Sequence, residues 1–169
     1  GRYAYGNQPE IGGWNLARFA ETLLPLIDEK EEKALTLAQD EINRYFELYH
    51  EFWLSGMRDK LGIFNEEEGD RSLIYALLDI MHKNQADYTN TFLALTYEED
   101  DYVNLREDED FQNWYTLWQS RLTRQDNSKE ASHKLMRSSN PALIPRNYYV
   151  EEALSAADRG DFEVMNKLL

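Results

Sequence analysis

Apolar residues recur along most of this 169-residue chain at intervals of three and four, the spacing of an amphipathic helix. The first such stretch predicts a helix from Trp14 to Ile27, with the apolar positions Trp14, Leu16, Ala17, Ala20, Leu23, Leu24 and Ile27. The residues before it, from Tyr3, include the turn formers Gly6, Asn7, Pro9, Gly12 and Gly13 and predict an irregular loop. A largely apolar helix needs a partner that covers it.

A second, longer helix is predicted from Lys33 to Leu61. Its apolar stripe consists of Ala38, Ile42, Tyr45, Tyr49 and Phe52, widened by Phe46 and Trp53. Gly56 is a weak point inside this helix, and Gly62 is a plausible stop.

Shorter helical patterns follow, separated by turn residues and caps. A glutamate-rich loop at Ile63–Gly69 precedes a helix with Leu73, Ile74, Leu77, Leu78 and Met81, which Asp70 or Ser72 can cap. The remaining predicted helices are Tyr88–Leu95 after the cap Asp87, Phe111–Arg124, Lys129–Arg137, Tyr148–Asp158 ended by Gly160, and a last helix after the cap Asp161, up to Leu169. Between them, Asn140, Pro141 and Pro145 predict an extended crossing.

No stretch shows the sustained alternation of a strand, and no internal repeat or linker divides the chain. We therefore predict an all-α fold, an irregular bundle of about eight helices in a single region spanning residues 1–169.

Composition narrows the possible partners. The formal net charge of −14 argues against nucleic acid and anionic membrane surfaces, because both repel carboxylates. The chain has no cysteine, which excludes disulfides and thiol chemistry within it. We see no apolar run long enough to span a bilayer and no signal peptide.

The three histidines each follow an acid by three residues, in the pairs Glu47–His50, Asp79–His82 and Glu130–His133. Glu-x-x-His pairs on facing helices can build a di-iron site in a bundle. Glu47 and Asp79, however, lie opposite the apolar stripes of their helices and are expected in solvent. Surface residues are the favoured interpretation, with the metal site as the alternative.

Other candidate groups have ordinary interpretations as well. The acidic runs Glu98–Asp101 and Glu107–Asp110 lack the ligand order and glycine of a calcium loop, which favours solvated loop. The helical spacing of Trp14, Trp53, Trp114 and Trp118 favours core packing over a ligand cage. Arg146, beside Pro145, can bind phosphate, but no glycine-rich nest accompanies it. The Gly6–Gly13 segment matches neither common phosphate-loop pattern.

Four stretches together resemble the selenoprotein O family. They are YGNQPEIGGWNLARFAETLLPLI at Tyr5–Ile27, KLGIF at Lys60–Phe64, ADYTNTFLAL at Ala86–Leu95, and NPALIPRNYYVEEALSAADRGDFEVMNKLL at Asn140–Leu169. They occur in the family's order and run from one end of the chain to the other. The resemblance implies a protein-kinase-like fold and the transfer of AMP from ATP, with magnesium, to Ser, Thr or Tyr hydroxyls of proteins.

The resemblance places the catalytic, ATP-binding and metal-binding residues of such proteins before the segment matched by Tyr3. We therefore assign no catalytic, cofactor-binding or metal residue here, and expect no cofactor in this chain itself; ATP and Mg²⁺ are implied for a longer parent protein. The start on Gly1 fits a carboxyl-terminal piece of that parent. Its partners would be the amino-terminal catalytic region and protein substrates, in the bacterial cytoplasm or, in a eukaryote, the mitochondrion. A stand-alone acidic helical interaction module is the competing hypothesis.

Overall fold

The computed structural model describes residues 4–98, 105–141 and 147–168. Within these ranges the chain is entirely helical apart from its connections, as the sequence predicts. After a short 3-10 turn at Tyr5–Asn7, the eight helices are α1 (Gln8–Ile27), α2 (Glu31–Lys60), α3 (Asp70–Lys83), α4 (Tyr88–Tyr97), α5 (Glu109–Leu122), α6 (Lys129–Ser139), α7 (Asn147–Ala157) and α8 (Glu163–Leu168).

Helix α1 begins at Gln8, and the loop predicted up to Gly13 is therefore wrong for most of its length. Pro9 sits in the first turn, where a missing N–H costs nothing. Gly12 and Gly13 serve close packing instead of a turn. A Cβ on Gly12 would lie 2.6 Å from the Tyr45 hydroxyl, and one on Gly13 would overlap the ring of Phe46.

Helices α1 and α2 form an antiparallel hairpin closed by a short connection. At this connection Asp28 accepts a hydrogen bond from Lys33 Nζ at 2.5 Å and another from the backbone N–H of Lys30 at 3.0 Å. The bond from Lys33 is the main cause that lowers the pKa of Asp28. At the other end of the hairpin, the Tyr45 hydroxyl donates to the carbonyl of Pro9 at 3.1 Å.

The hydrophobic core lies around the carboxyl-terminal half of α2 and helices α3 to α6. Its buried members include Met57, Leu61, Ile63, Ile74, Leu77, Phe92, Leu105, Trp114, Trp118 and Met136. Trp114 and Trp118 stack with ring centroids 5.6 Å apart. Their indole N–H groups donate to the carbonyls of Leu73 and Leu61 at 2.8 and 2.9 Å, so neither polar atom is left unsatisfied.

The predicted stripe of α2 is only partly correct. Ala38, Ile42 and Tyr45 are half-buried on the side toward α1. Phe52 is 74% exposed, because it lies beside an open groove. Trp14, also expected in the core, is 51% exposed on α1.

Several predicted boundaries are confirmed by their local chemistry. Asp87 accepts from the backbone N–H of Asn90 and caps α4. Gly62 adopts φ of 72°, a left-handed conformation that ends α2. Asp70, in contrast, does not cap α3: it is the first helical residue, and its carboxylate is taken up by Glu67 N–H and Arg121.

Helices α7 and α8 form a second, carboxyl-terminal hairpin. Gly160, with φ of 80°, follows α7, and Asp161 accepts from the backbone N–H of Glu163 at the start of α8. The crossing predicted around Pro145 lies outside the described residues. Among the described helices, none is both long and apolar enough to traverse a bilayer.

Candidate functional site

The three histidines lie on three different helices, α2, α3 and α6, and the described residues form no cluster of acids and histidines suited to a metal ion. Glu47 and Asp79 are exposed, as predicted. His133 instead lies 3.0 Å from the carbonyl of Thr96, through Nδ1. His50 stacks on Trp53 with centroids 6.1 Å apart, and its buried Nε2 has no hydrogen-bond partner among the residues that the structure describes.

In the two acidic runs, Glu98, Asp108 and Asp110 are used in ion pairs or a helix cap. Glu98 pairs with Lys129 at 2.5 Å, and this contact lowers the pKa of Glu98. Asp108 caps α5 by accepting from the N–H of Phe111, and it also accepts from Asn84 and Lys83. The rest of the first acidic run, and Arg146, lie outside the described residues.

A buried ion pair joins α5 to the first turn of α3. Arg121 donates through Nε to Asp70 Oδ1 at 2.6 Å and through Nη2 to Asp70 Oδ2 at 3.1 Å. The same guanidinium reaches Asn65 O at 2.8 Å and Glu67 at 3.3 Å. All of these partners belong to the chain itself, so we interpret the cluster as a structural network that holds α5, α3 and the preceding loop together.

An open groove of about 610 Å³ runs along the carboxyl-terminal half of α2. Its walls include Phe52, Trp53, Met57, Tyr88 and Phe92, and Gly56 lies at its edge. Lys60 enters the groove and lies over the rings of Tyr88 and Phe92, at 5.8 and 5.4 Å from their centroids.

The Lys60 ammonium is held by neutral acceptors. It donates to the carbonyl of Ser139 at 2.9 Å and to Asn140 Oδ1 at 3.3 Å. Asn140 in turn donates to the carbonyl of Lys60 and to Thr96 Oγ1, both at 2.9 Å. Burial lowers the pKa of Lys60, and burial likewise raises the pKa of the neighbouring Asp59.

Sequence reasoning did not find this groove. Lys60 and Asn140 each lie in stretches that carry the family resemblance, but their contact joins residues 80 apart in the chain. No periodicity or motif reports a contact at that separation.

A second feature is the apolar outer surface of the α1–α2 hairpin. Phe19 is 61% exposed and Leu26 is 82% exposed, and a groove of about 340 Å³ runs beside Phe19. The groove is lined almost wholly by apolar side chains: Leu16, Phe19, Ala20, Leu23, Ile27, Leu37, Ala38 and Ile42, with Glu41. We refer to these residues together with Leu26 as the hairpin face.

The model of one protein family matches this helical chain over its whole length, residues 1–169. The chain belongs to the family described as protein adenylyltransferase SelO. The resemblance seen in its four stretches is therefore confirmed.

Individual relatives agree with the family match. The chain is 60% identical to the protein nucleotidyltransferase YdiU of Alkaliphilus metalliredigens, 57% to that of Clostridium beijerinckii and 56% to that of Halalkalibacterium halodurans. Each alignment covers 100% of this chain but only 34 to 35% of the relative. The chain thus spans about a third of the length of the curated relatives it matches.

Proposed function

We propose that this chain is the carboxyl-terminal helical part of a protein adenylyltransferase, which transfers AMP from ATP to Ser, Thr or Tyr hydroxyls of proteins. The observation that carries the proposal is the family match over residues 1–169, in a chain that covers only 35% of its first relative. Its own role is structural: it supports the loop that carries the metal ligands and forms part of the wall for protein substrates.

Transfer of a nucleotidyl group needs cations on the phosphates, carboxylates on a metal ion, and a base near the attacking hydroxyl. The described residues bring together no three acids or histidines that could hold a metal ion, so they offer magnesium no assembled site of that kind. We therefore derive no step of the transfer through this chain and assign ATP and Mg²⁺ to the remaining two thirds of the protein, in a compartment that supplies ATP, such as the cytoplasm.

The hairpin face supports a structural role for this chain, with catalysis assigned to the rest of the protein. Large apolar side chains exposed together mark a surface that another polypeptide covers. Phe19 and Leu26 lie on such a surface, on the segment that immediately follows the region where the family's metal ligands are expected. The competing hypothesis, a stand-alone module, predicts instead a cooperative monomer with no large exposed apolar patch.

The test compares the full-length protein with residues 1–169 alone in labelled ATP, magnesium and a protein acceptor. We expect AMP transfer by the full-length protein and none by residues 1–169. Transfer or robust self-labelling by residues 1–169 would overturn the proposed division.

A pair of variants then tests the scaffold role. In the full-length protein, Phe19→Ser should reduce AMP transfer, because it weakens the apolar contact between the hairpin face and the catalytic part. Leu117→Ser is the matched control: Leu117 is 63% exposed on α5, away from the hairpin face, and its loss should leave transfer near the wild-type rate. Equal effects of the two substitutions would contradict the assigned surface.

A further inference from the structure

Gly56 occupies an interior position of the 30-residue helix α2, where glycine is the least favourable residue apart from proline. Gly12 and Gly13 have an internal reason, because a Cβ would strike Tyr45 or Phe46. Gly56 has none: no atom of the described residues outside its own helix turn lies within 4 Å of a Cβ built on it. An interior helix glycine with open space above it allows another backbone to approach the helix closely.

The groove beside Gly56 also contains the ammonium of Lys60, which lies over the rings of Tyr88 and Phe92. Asp59 lines the same groove but forms no described ion pair with Lys60. Lys60 Nζ has three hydrogens and donates to two neutral acceptors, Ser139 O and Asn140 Oδ1. Within the described part of the chain no carboxylate pairs with it, although burial already lowers its pKa. A partly buried ammonium gains most from an anionic acceptor, so a carboxylate would add an interaction that the two neutral acceptors and the two rings do not supply.

We propose that this groove binds an extended segment of the same protein from outside residues 1–169. Its backbone crosses α2 at Gly56, an apolar side chain lies against Phe52, and a carboxylate accepts from Lys60. We name this surface the Gly56 groove.

The same protein is the favoured source for two reasons. The curated relatives are nearly three times as long as this chain, which accounts for 35% of the first of them, so ample polypeptide is available. A covalently linked segment also has a high effective concentration, so one short groove and one ion pair suffice to hold it. A separate acidic peptide would first meet a chain with net charge −14, which repels it.

The inference goes beyond the proposed function. It requires the longer protein but not AMP transfer, so a protein that proved inactive would still show or lack the docked segment. The two ideas therefore fail independently.

The experiment introduces a photo-reactive benzoylphenylalanine at Phe52 or at Thr89, which both line the groove, in the purified full-length protein. The matched control places the same residue at Leu117. Irradiated protein is digested, and cross-linked peptides are identified by mass spectrometry. We expect Phe52 and Thr89 to link to one common segment outside residues 1–169, within a single polypeptide, and Leu117 not to link to that segment.

Two substitutions then test the chemistry in the same experiment. Lys60→Met keeps the aliphatic stem and removes the charge, while Gly56→Leu fills the space above the helix. Each should reduce the cross-link yield from Thr89 several-fold, and Gly56→Ala should reduce it less than Gly56→Leu. Circular dichroism of each variant verifies that the helices remain.

Several outcomes overturn the proposal. These are cross-links confined to residues 1–169, cross-links only between two copies of the protein, no cross-link from either groove position, and yields unchanged by both Lys60→Met and Gly56→Leu in folded protein.

Discussion

The guanidinium of Arg121 and the carboxylate of Asp70, 51 residues apart in sequence, form a two-point ion pair whose side chains are only 2% and 1% exposed. The pair ties α5 to the first turn of α3. Because Arg121 also binds Asn65 O, the loop between α2 and α3 is held by the same group. Removing one partner leaves a buried charge, which costs more than the pair contributes.

We therefore expect Arg121→Ala to lower the free energy of unfolding by about 3–5 kcal/mol. Asp70 would remain buried without its cation, and the loop would lose its anchor. Urea denaturation followed by tryptophan fluorescence measures the change, since Trp118 lies in the same core.

The matched control is Arg124→Ala. Arg124 pairs with Glu67 at 2.8 Å, but its side chain is 50% exposed. Solvent screens such a pair, so we expect a much smaller change. A loss for Arg121→Ala no larger than that for Arg124→Ala would show that the buried pair does not anchor the loop.

Alanine substitutions at two glycines in the long helices α1 and α2 should change the stability of the chain in opposite directions. Gly13→Ala pushes a methyl group into the ring of Phe46 and should destabilise the chain by about 1–3 kcal/mol. Gly56→Ala meets open space and should stabilise residues 1–169 by about 0.5–1 kcal/mol. Thermal denaturation of both variants checks the contrast, and Phe46→Leu should partly rescue Gly13→Ala.

We expect the stability of the chain to depend on pH through the carboxylate of Asp108. Its pKa is lowered chiefly by the hydrogen bond from Asn84, and further by the N–H of Phe111 and by Lys83. A carboxylate whose pKa is lower in the folded state stabilises the folded protein at pH values above its unfolded pKa, which is about 4. This stabilisation is lost as the pH falls through the folded-state pKa.

The measurement is the urea midpoint of wild type and Asp108→Asn between pH 7 and pH 3. Asparagine keeps a capping oxygen but cannot titrate. We expect the difference between the two proteins to shrink as the pH falls below about 4. A difference that stays constant over the whole range would contradict the assignment to Asp108.

The hairpin face should make residues 1–169 self-associate when the chain is produced alone. Phe19→Ser and Leu26→Ser remove exposed apolar area without touching the core, so they should shift the chain toward monomer at equal helix content. Sedimentation velocity checks the expectation. Leu117→Ser serves as the control. An equal shift toward monomer in that variant would show that self-association does not depend on the hairpin face.

Most helices could be predicted from the sequence because their determinants are local. The stop at Gly62, the cap Asp87 and the period of α5 all act within a few residues. The error at the start of α1 has the opposite origin. In the sequence, Gly12 and Gly13 look like turn residues. In the structure they allow α1 to pack closely against Tyr45 and Phe46 of α2, a contact that the local sequence does not show.

The candidate site was harder to predict for the same reason. The Gly56 groove depends on α2, α4 and the end of α6 meeting around Lys60 and Asn140. Phe52 read as core because its spacing fits the α2 stripe, yet no described helix covers it. Local patterns identify an apolar face but not whether the same chain covers it.

Helix α2 runs unbroken for 30 residues, about 45 Å, with the hairpin at one end and the core at the other. Each residue turns a helix by about 100°, so inserting or deleting one residue between Tyr45 and Met57 would rotate the hairpin face by that angle relative to the core. The number of residues in this span is therefore constrained as strictly as their identity. We expect relatives that place the same surfaces in the same directions to keep that count.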